Sequence, residues 1–211
     1  MIVTMATAQP AQTTPPNKRR QRLSAEQRSQ QILAAAGELF RLAPYPEVST
    51  QAIADASETS QALIFHYFGS KSGVYLAWLE SVYQALSTHV IAAVQALPPN
   101  TSRRDTIQAG LEAFTEHIAN HPADWLAAQR SGDEPAEATH QRLEWRDNLQ
   151  AYLLNLLQPT TERGKFAISG GIGFFEAASF EWADGGFVEQ QRWPLIEATL
   201  GAVEGALGDW G

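Results

Sequence analysis

Cysteine is absent from the 211 residues, which excludes a disulfide framework, thiolate metal ligands and a cysteine nucleophile. Long apolar runs are missing too. The most apolar window, residues 166–175, stops at Glu176 and falls far short of the ~20 residues a membrane span needs. The N-terminal stretch lacks a basic start followed by an apolar core and a cleavage site, so no secretory signal is expected and a cytoplasmic location is. Basic residues are scarce: 15 Lys and Arg stand against 23 Asp and Glu, a net charge of −8 with a pI near 5.1. That balance argues against a protein that holds nucleic acid by bulk charge alone.

The charge that is present is unevenly placed. Residues 1–71 carry seven Lys and Arg and five Asp and Glu, whereas the remainder carries eight and eighteen. A weakly basic head (+2) therefore precedes an acidic body (−10), and a DNA field would orient such a molecule head first. Residues 1–23 form a Thr/Pro/Gln-rich leader, expected to be disordered, that ends in Lys18-Arg19-Arg20-Gln21-Arg22. A basic arm of this kind suits a minor groove, or merely keeps the chain in solution.

Helical signals fill the rest. Ser24-Ala-Glu-Gln27 is a capping box, followed by Ile32, Leu33, Ala36, Leu39 and Phe40 on one face. Pro44 and Pro46 break this first helix. A second helix is expected from Thr50 to about Ser57, capped by Ser49 or Thr50. After Glu58-Thr59, Ser60 opens a third helix that ends in Ile64-Phe65-His66-Tyr67-Phe68-Gly69-Ser70-Lys71. Two short helices joined by such a turn fit a helix-turn-helix, whose second helix enters the major groove.

Farther on, Val74, Tyr75, Trp78, Leu79, Val82, Leu86, Val90 and Ile91 keep a helical period over residues 72–96, until Pro98-Pro99. Thr101 or Ser102 starts the next helix, which ends at Asn120-His121-Pro122. A short helix carries Trp125, Leu126 and Gln129, and residues 131–133 turn the chain. Asp133 is expected to cap a longer helix closed by Pro159. Two more follow, over about 161–183 and 193–207. The fold class is all-α, with about nine helices in a head and a bundle.

Val48-Ser49, Ile53-Ala54, Phe65-His66-Tyr67-Phe68 and Lys71, in that order and spacing, resemble the DNA-binding domain of the TetR (tetracycline-repressor-like) family of transcriptional regulators. The likeness covers about a quarter of the chain. It implies an N-terminal three-helix DNA-binding domain over residues 24–71 and a helical-bundle ligand-binding and dimerisation domain over 72–211. It also implies roles. Thr50 offers a hydroxyl and a helix N-terminus to phosphate; Lys71 and Tyr67 add a charge and a phenol. Gln51 and Gln61 stand where the family reads bases, and a glutamine amide pairs bidentately with adenine. Ala62 is small enough to meet a thymine methyl, His66 sits among residues that touch phosphate or base edge, and Ser60 and Phe65 complete the DNA-facing set.

Four positions depart from the family pattern. Glu58 replaces a turn glycine, where a positive φ suits glycine best. Phe65 replaces a tyrosine and loses its hydroxyl. Pro44 stands for the usual glycine before Tyr45, and Ala62 for another.

The resemblance further implies a two-fold dimer through the last two helices, where Gly170, Gly171, Gly173, Ala177, Ala178 and Ser179 form a small-residue stripe, and two half-sites in a palindromic double-stranded DNA operator. A pocket in the bundle for an apolar or aromatic effector is implied as well. Its candidate lining is Phe114, His117, Trp125, Gln129, Trp145 and Tyr152. The function expected is a ligand-responsive repressor without a cofactor or a metal. Glu58 and Phe65 leave open a related dimer that binds a ligand or protein without ordinary operator recognition. A metal-dependent enzyme is the less favoured class. His117 and His121 are four apart but lack the intervening Glu of the zinc-peptidase motif. Glu176 and Glu181 face different sides of a helix, a poor acid/base pair, and Gly170-Gly-Ile-Gly173 neither follows a strand nor opens a helix.

Overall fold

The computed structural model describes residues 24–130 and 132–208. The basic segment 18–22, with its expected groove-reaching arm, and Ser131 lie outside them. Among the described residues there are nine α-helices, a single 3₁₀ turn and no strand. None of these helices is long and apolar enough to cross a membrane.

The head is built from α1 (Ala25–Leu42), α2 (Thr50–Ala56) and α3 (Gln61–Phe68). The capping box forms as expected: Gln27 N–H donates to Ser24 Oγ at 3.1 Å and Ser24 N–H to Gln27 Oε1 at 2.9 Å. Two orphan amides of α1 are thereby satisfied. The chain then turns through Tyr45–Glu47 as a 3₁₀ turn, entered at Pro44. Ser49 caps α2 and Ser60 caps α3, each hydroxyl accepting an amide three residues on. Gly69 ends α3 at φ 74°, a backbone state open to glycine without strain.

α4 (Lys71–Gln95) is shared by two cores. Its first turns put Val74, Tyr75, Trp78, Leu79 and Tyr83 against Ile32, Phe40, Ile53 and Ile64 of the head. Lower down, Leu86 joins Ile118, Trp125, Phe175, Trp182 and Leu195 in a second core. Each fully buried aliphatic side chain contributes roughly 1.5–3 kcal/mol, so α4 is held to both cores.

The body continues with α5 (Arg103–Asn120), α6 (Pro122–Ala128), α7 (Ala136–Leu157), α8 (Glu162–Asp184) and α9 (Glu189–Leu207). Two local expectations fail. Asp133 does not cap α7: the helix starts three residues later, from Pro135, without a side-chain cap. α9 starts at Glu189 rather than Trp193 and carries Pro194 inside. That proline falls in the second turn, so only a single early backbone bond is lost.

α8 and α9 pack closely. A Cβ on Gly171 would meet Val203 Cγ2 at 2.5 Å, so this glycine serves contact within the chain. The stripe seen in the sequence is thus divided. Gly170, Gly201 and Gly205 face open space, beside Phe166 (75% exposed), Phe174 (41%) and Trp193 (46%).

Candidate functional site

The turn between α2 and α3 spans residues 57–60. Ser57 is buried and donates its hydroxyl to Ile53 O at 2.6 Å, while Gln31 Nε2 of α1 donates to Ser57 O at 3.0 Å. Glu58 sits at φ 50°, so the turn keeps a backbone state that suits glycine best.

The N-terminal ends of α2 and α3 meet. Thr50 Oγ1 donates to Gln61 Oε1 at 3.3 Å, Gln61 Nε2 donates to Gln51 Oε1, and Gln51 Nε2 donates to Asp55 Oδ1 at 2.7 Å. The result is a chain of side chains running Thr50, Gln61, Gln51, Asp55. Asp55 accepts only, which fixes the direction of both amides. Each amide nitrogen keeps one hydrogen outside the chain, so the surface offers donors to base acceptors. Asp55 was not anticipated from the sequence.

The other DNA-facing candidates fall on one side of the head. Ala62, Phe65 and His66 are exposed, and the His66 ring meets the Tyr67 ring edge-on at 5.3 Å. Ser60 spends an oxygen lone pair on the α3 cap but keeps its hydroxyl hydrogen. Tyr67 is half-buried against the head core. Lys71 is partly committed: its Nζ donates to Tyr45 O at 2.9 Å and lies 4.0 Å from the Tyr45 ring centroid. Burial lowers its pKa. Two ammonium hydrogens remain for a phosphate.

In the body, helices α4 to α9 enclose a cavity of about 330 Å³, within the size range of small-molecule sites. Phe114, Trp125, Gln129, Trp145 and Tyr152 line it, as expected from the sequence. His117 does not. Its ring stacks on His121 at 4.4 Å and lies 5.5 Å from His89 of α4, and burial together with those two histidines lowers its pKa. Among the described residues no group of three His, Asp or Glu is placed to hold a metal ion.

Sequence reasoning missed the cavity's charged groups. Arg146 Nη1 pairs with Glu176 Oε2 at 3.0 Å, and Glu176's pKa is raised by burial against the opposing pull of Arg146. Arg142 pairs with Glu134 through both terminal nitrogens. The available signal was positional: Arg142 and Arg146 share a face of α7 with Leu149 and Leu153, so two cations interrupt an apolar stripe.

Arg142 also reaches beyond the cavity. It donates to Ala128 O at 2.8 Å and Arg130 O at 3.0 Å. Its partner Glu134 accepts from Tyr75 Oη at 2.9 Å, and burial, then Glu134, push the Tyr75 phenol far up. Arg130 in turn donates to Phe40 O and Arg41 O at the end of α1. Burial would lower the Arg142 pKa, but Glu134 outweighs it and raises it. A cavity wall residue is thereby wired to both α1 and α4 of the head.

Comparison with known proteins agrees with this geometry. Residues 32–78, from α1 into α4, match the family model for bacterial regulatory proteins of the tetR family. The chain is 27% identical over 155 residues to the HTH-type transcriptional regulator EthR of Mycolicibacterium smegmatis, covering 72% of this chain and 69% of that one. It is 34% identical over 102 residues to the HTH-type transcriptional activator FasR of the same species, across 48% of this chain and 45% of the other. In fold it is similar to a TetR-like transcriptional regulator from Rhodococcus sp. RHA1, with a TM-score of 0.66, 23% identity and coverage of 89% and 97%. A transcriptional regulator from Pseudomonas aeruginosa PAO1 superposes with a TM-score of 0.74, 18% identity and coverage of 89% and 95%. Residues 32–78 are thus similar to the DNA-binding domain of the tetR family of bacterial regulatory proteins, and the chain is a DNA-binding transcriptional regulator.

Proposed function

We propose that the protein is a cytoplasmic, ligand-responsive repressor that acts by binding rather than by catalysis. Two copies join through the outward faces of α8 and α9, around Phe166, Gly170, Phe174, Trp193 and Gly201. The two α3 helices then enter successive major grooves of a palindromic operator, about 34–36 Å apart. A small, largely apolar effector fills the body cavity and spoils that spacing. Thr50, Gln51, Ser60, Gln61, Ala62, Phe65, His66, Tyr67 and Lys71 make the DNA contacts; Phe114, Trp125, Gln129, Trp145 and Tyr152 contact the effector.

The observation that carries this reading is Arg142. It lies on the cavity wall and, through Glu134 and Arg130, holds Tyr75 of α4 and the end of α1. A molecule that displaces α7 must strain these bonds or move the head with it. The effector acts only through its different affinity for the two arrangements. Reciprocity supplies the test. A compound that releases the operator will bind the operator complex more weakly than the free dimer, by the same factor in both titrations. Equal affinity for the two forms would overturn the proposal.

A further inference from the structure

We infer that the cavity recognises a neutral, mainly apolar molecule carrying one carbonyl-type hydrogen-bond acceptor, held by Trp125 and Ser179. The inference rests on reading this cavity as the effector site. It arises from two polar atoms on the cavity wall that have no hydrogen-bond partner in the protein, Trp125 Nε1 and Ser179 Oγ.

Both side chains are deeply buried: Trp125 is 5% exposed and Ser179 0%. Buried polar groups elsewhere in the body are satisfied. Trp145 Nε1 donates to Ser87 Oγ at 3.0 Å, Trp182 Nε1 to Val188 O at 2.8 Å, and Thr199 Oγ1 to Leu195 O at 2.9 Å. The remaining orphan among the described residues, Gln141 Oε1, lies off the cavity, and its own amide nitrogen is bonded to Leu76 and Glu80. A buried unpaired donor is costly, so two of them on one apolar wall point to a partner that enters from outside the chain.

The chemistry of that partner follows from the donors. An indole N–H donates and never accepts, and a serine hydroxyl donates as readily as it accepts. Phe180, next to Ser179 in sequence, stacks on Trp125 with ring centroids 6.2 Å apart, which brings the α8 turn that carries Ser179 against Trp125, and both residues line the cavity. A carbonyl oxygen has two lone pairs and takes one hydrogen from each. A carboxylate does not suit the site. Of the charged side chains on the wall, Arg146 and Glu176 are paired with each other and Arg142 with Glu134, so an anion would be buried without a free counter-ion.

Three probes of similar shape separate these chemistries: hexylbenzene, heptanophenone and 4-hexylbenzoate, each titrated calorimetrically into the full-length protein near neutral pH. Heptanophenone is expected to bind about tenfold tighter than hexylbenzene, with 4-hexylbenzoate the weakest. Trp125→Phe brings the ketone down to the level that hexylbenzene shows on the same variant; Ser179→Ala costs the ketone a few-fold. Equal binding of ketone and hydrocarbon, tightest binding of the benzoate, or no binding of any probe to protein with an intact helical spectrum would overturn the inference. Heptanophenone that binds in the expected pattern but leaves operator affinity unchanged would sustain the inference and overturn the effector reading instead.

Discussion

At the scale of single residues, Glu58 shows how a departure from a pattern becomes a physical statement. A non-glycine residue held at φ 50° is disfavoured by about 1 kcal/mol or more because its Cβ crowds the next carbonyl. Its carboxylate is exposed at the turn that feeds α3. Glu58→Gly should tighten DNA binding by removing a negative charge from this turn, which operator titrations check. The departure at Glu58 was legible in the sequence against the family's turn glycine, but whether the turn kept a positive φ was not. The chain from Thr50 to Asp55 was not, because it depends on how two separate helices present their amides. That chain makes Gln51 and Gln61 one unit: Gln51→Ala and Gln61→Ala should each shift preference at the same or adjacent base positions, and the double variant should fall short of the sum. Additive effects in a double-mutant cycle would separate them.

At the scale of elements, periodicity and punctuation located the helices, and the capping serines stand where side-chain chemistry put them. The failures were local. Asp133 looked like a cap, but Glu134 is the acidic residue that is used, and it faces Arg142 rather than a helix N-terminus. Only tertiary packing decides which of two neighbouring carboxylates turns inward. Glu134→Ala strands a largely buried arginine, 16% exposed at its side chain, and should cost about 3–5 kcal/mol. Denaturant unfolding measures that loss. His117 supplies a second test at the joint of α4 and α5. It faces His89, itself 3.6 Å from Glu116, and His121, with Asp124 opposing the two histidines. Its folded pKa is lowered, first by burial, so the unfolded state takes up its proton earlier. The associated stability is present above histidine's ordinary value of about 6.5. It is lost as pH falls from there through the lowered folded value. His117→Gln should flatten the fall in melting temperature between neutral and mildly acidic pH; an unchanged pH dependence would contradict this.

At the scale of the whole molecule, the separation of charge and the division of the small-residue stripe tell the same story. A net positive charge over residues 1–71, supplied by the basic segment 18–22, ahead of an acidic remainder favours approach to DNA with the body turned away. Neighbouring glycines of one stripe serve two purposes, Gly171 admitting Val203 of its own chain while Gly170 stays open, as do Gly201 and Gly205 of α9, beside exposed aromatic side chains. Composition and spacing announced small residues on α8; they did not tell inward from outward, because that depends on where α9 lies. The cavity was legible to a similar degree. The family resemblance implied a cavity, and aromatic and polar positions on the central helices supplied part of its wall, but its paired charges and unpaired donors emerged only once six helices were placed around it. The central claim is that α3 reads duplex DNA as one half of a symmetric pair. Selection of bound sequences from random duplexes at low salt, on protein whose mass in solution is measured in parallel, tests it most directly. A dimer that enriches a palindrome with half-site centres about 34–36 Å apart is the predicted result; a monomer that enriches nothing would contradict it.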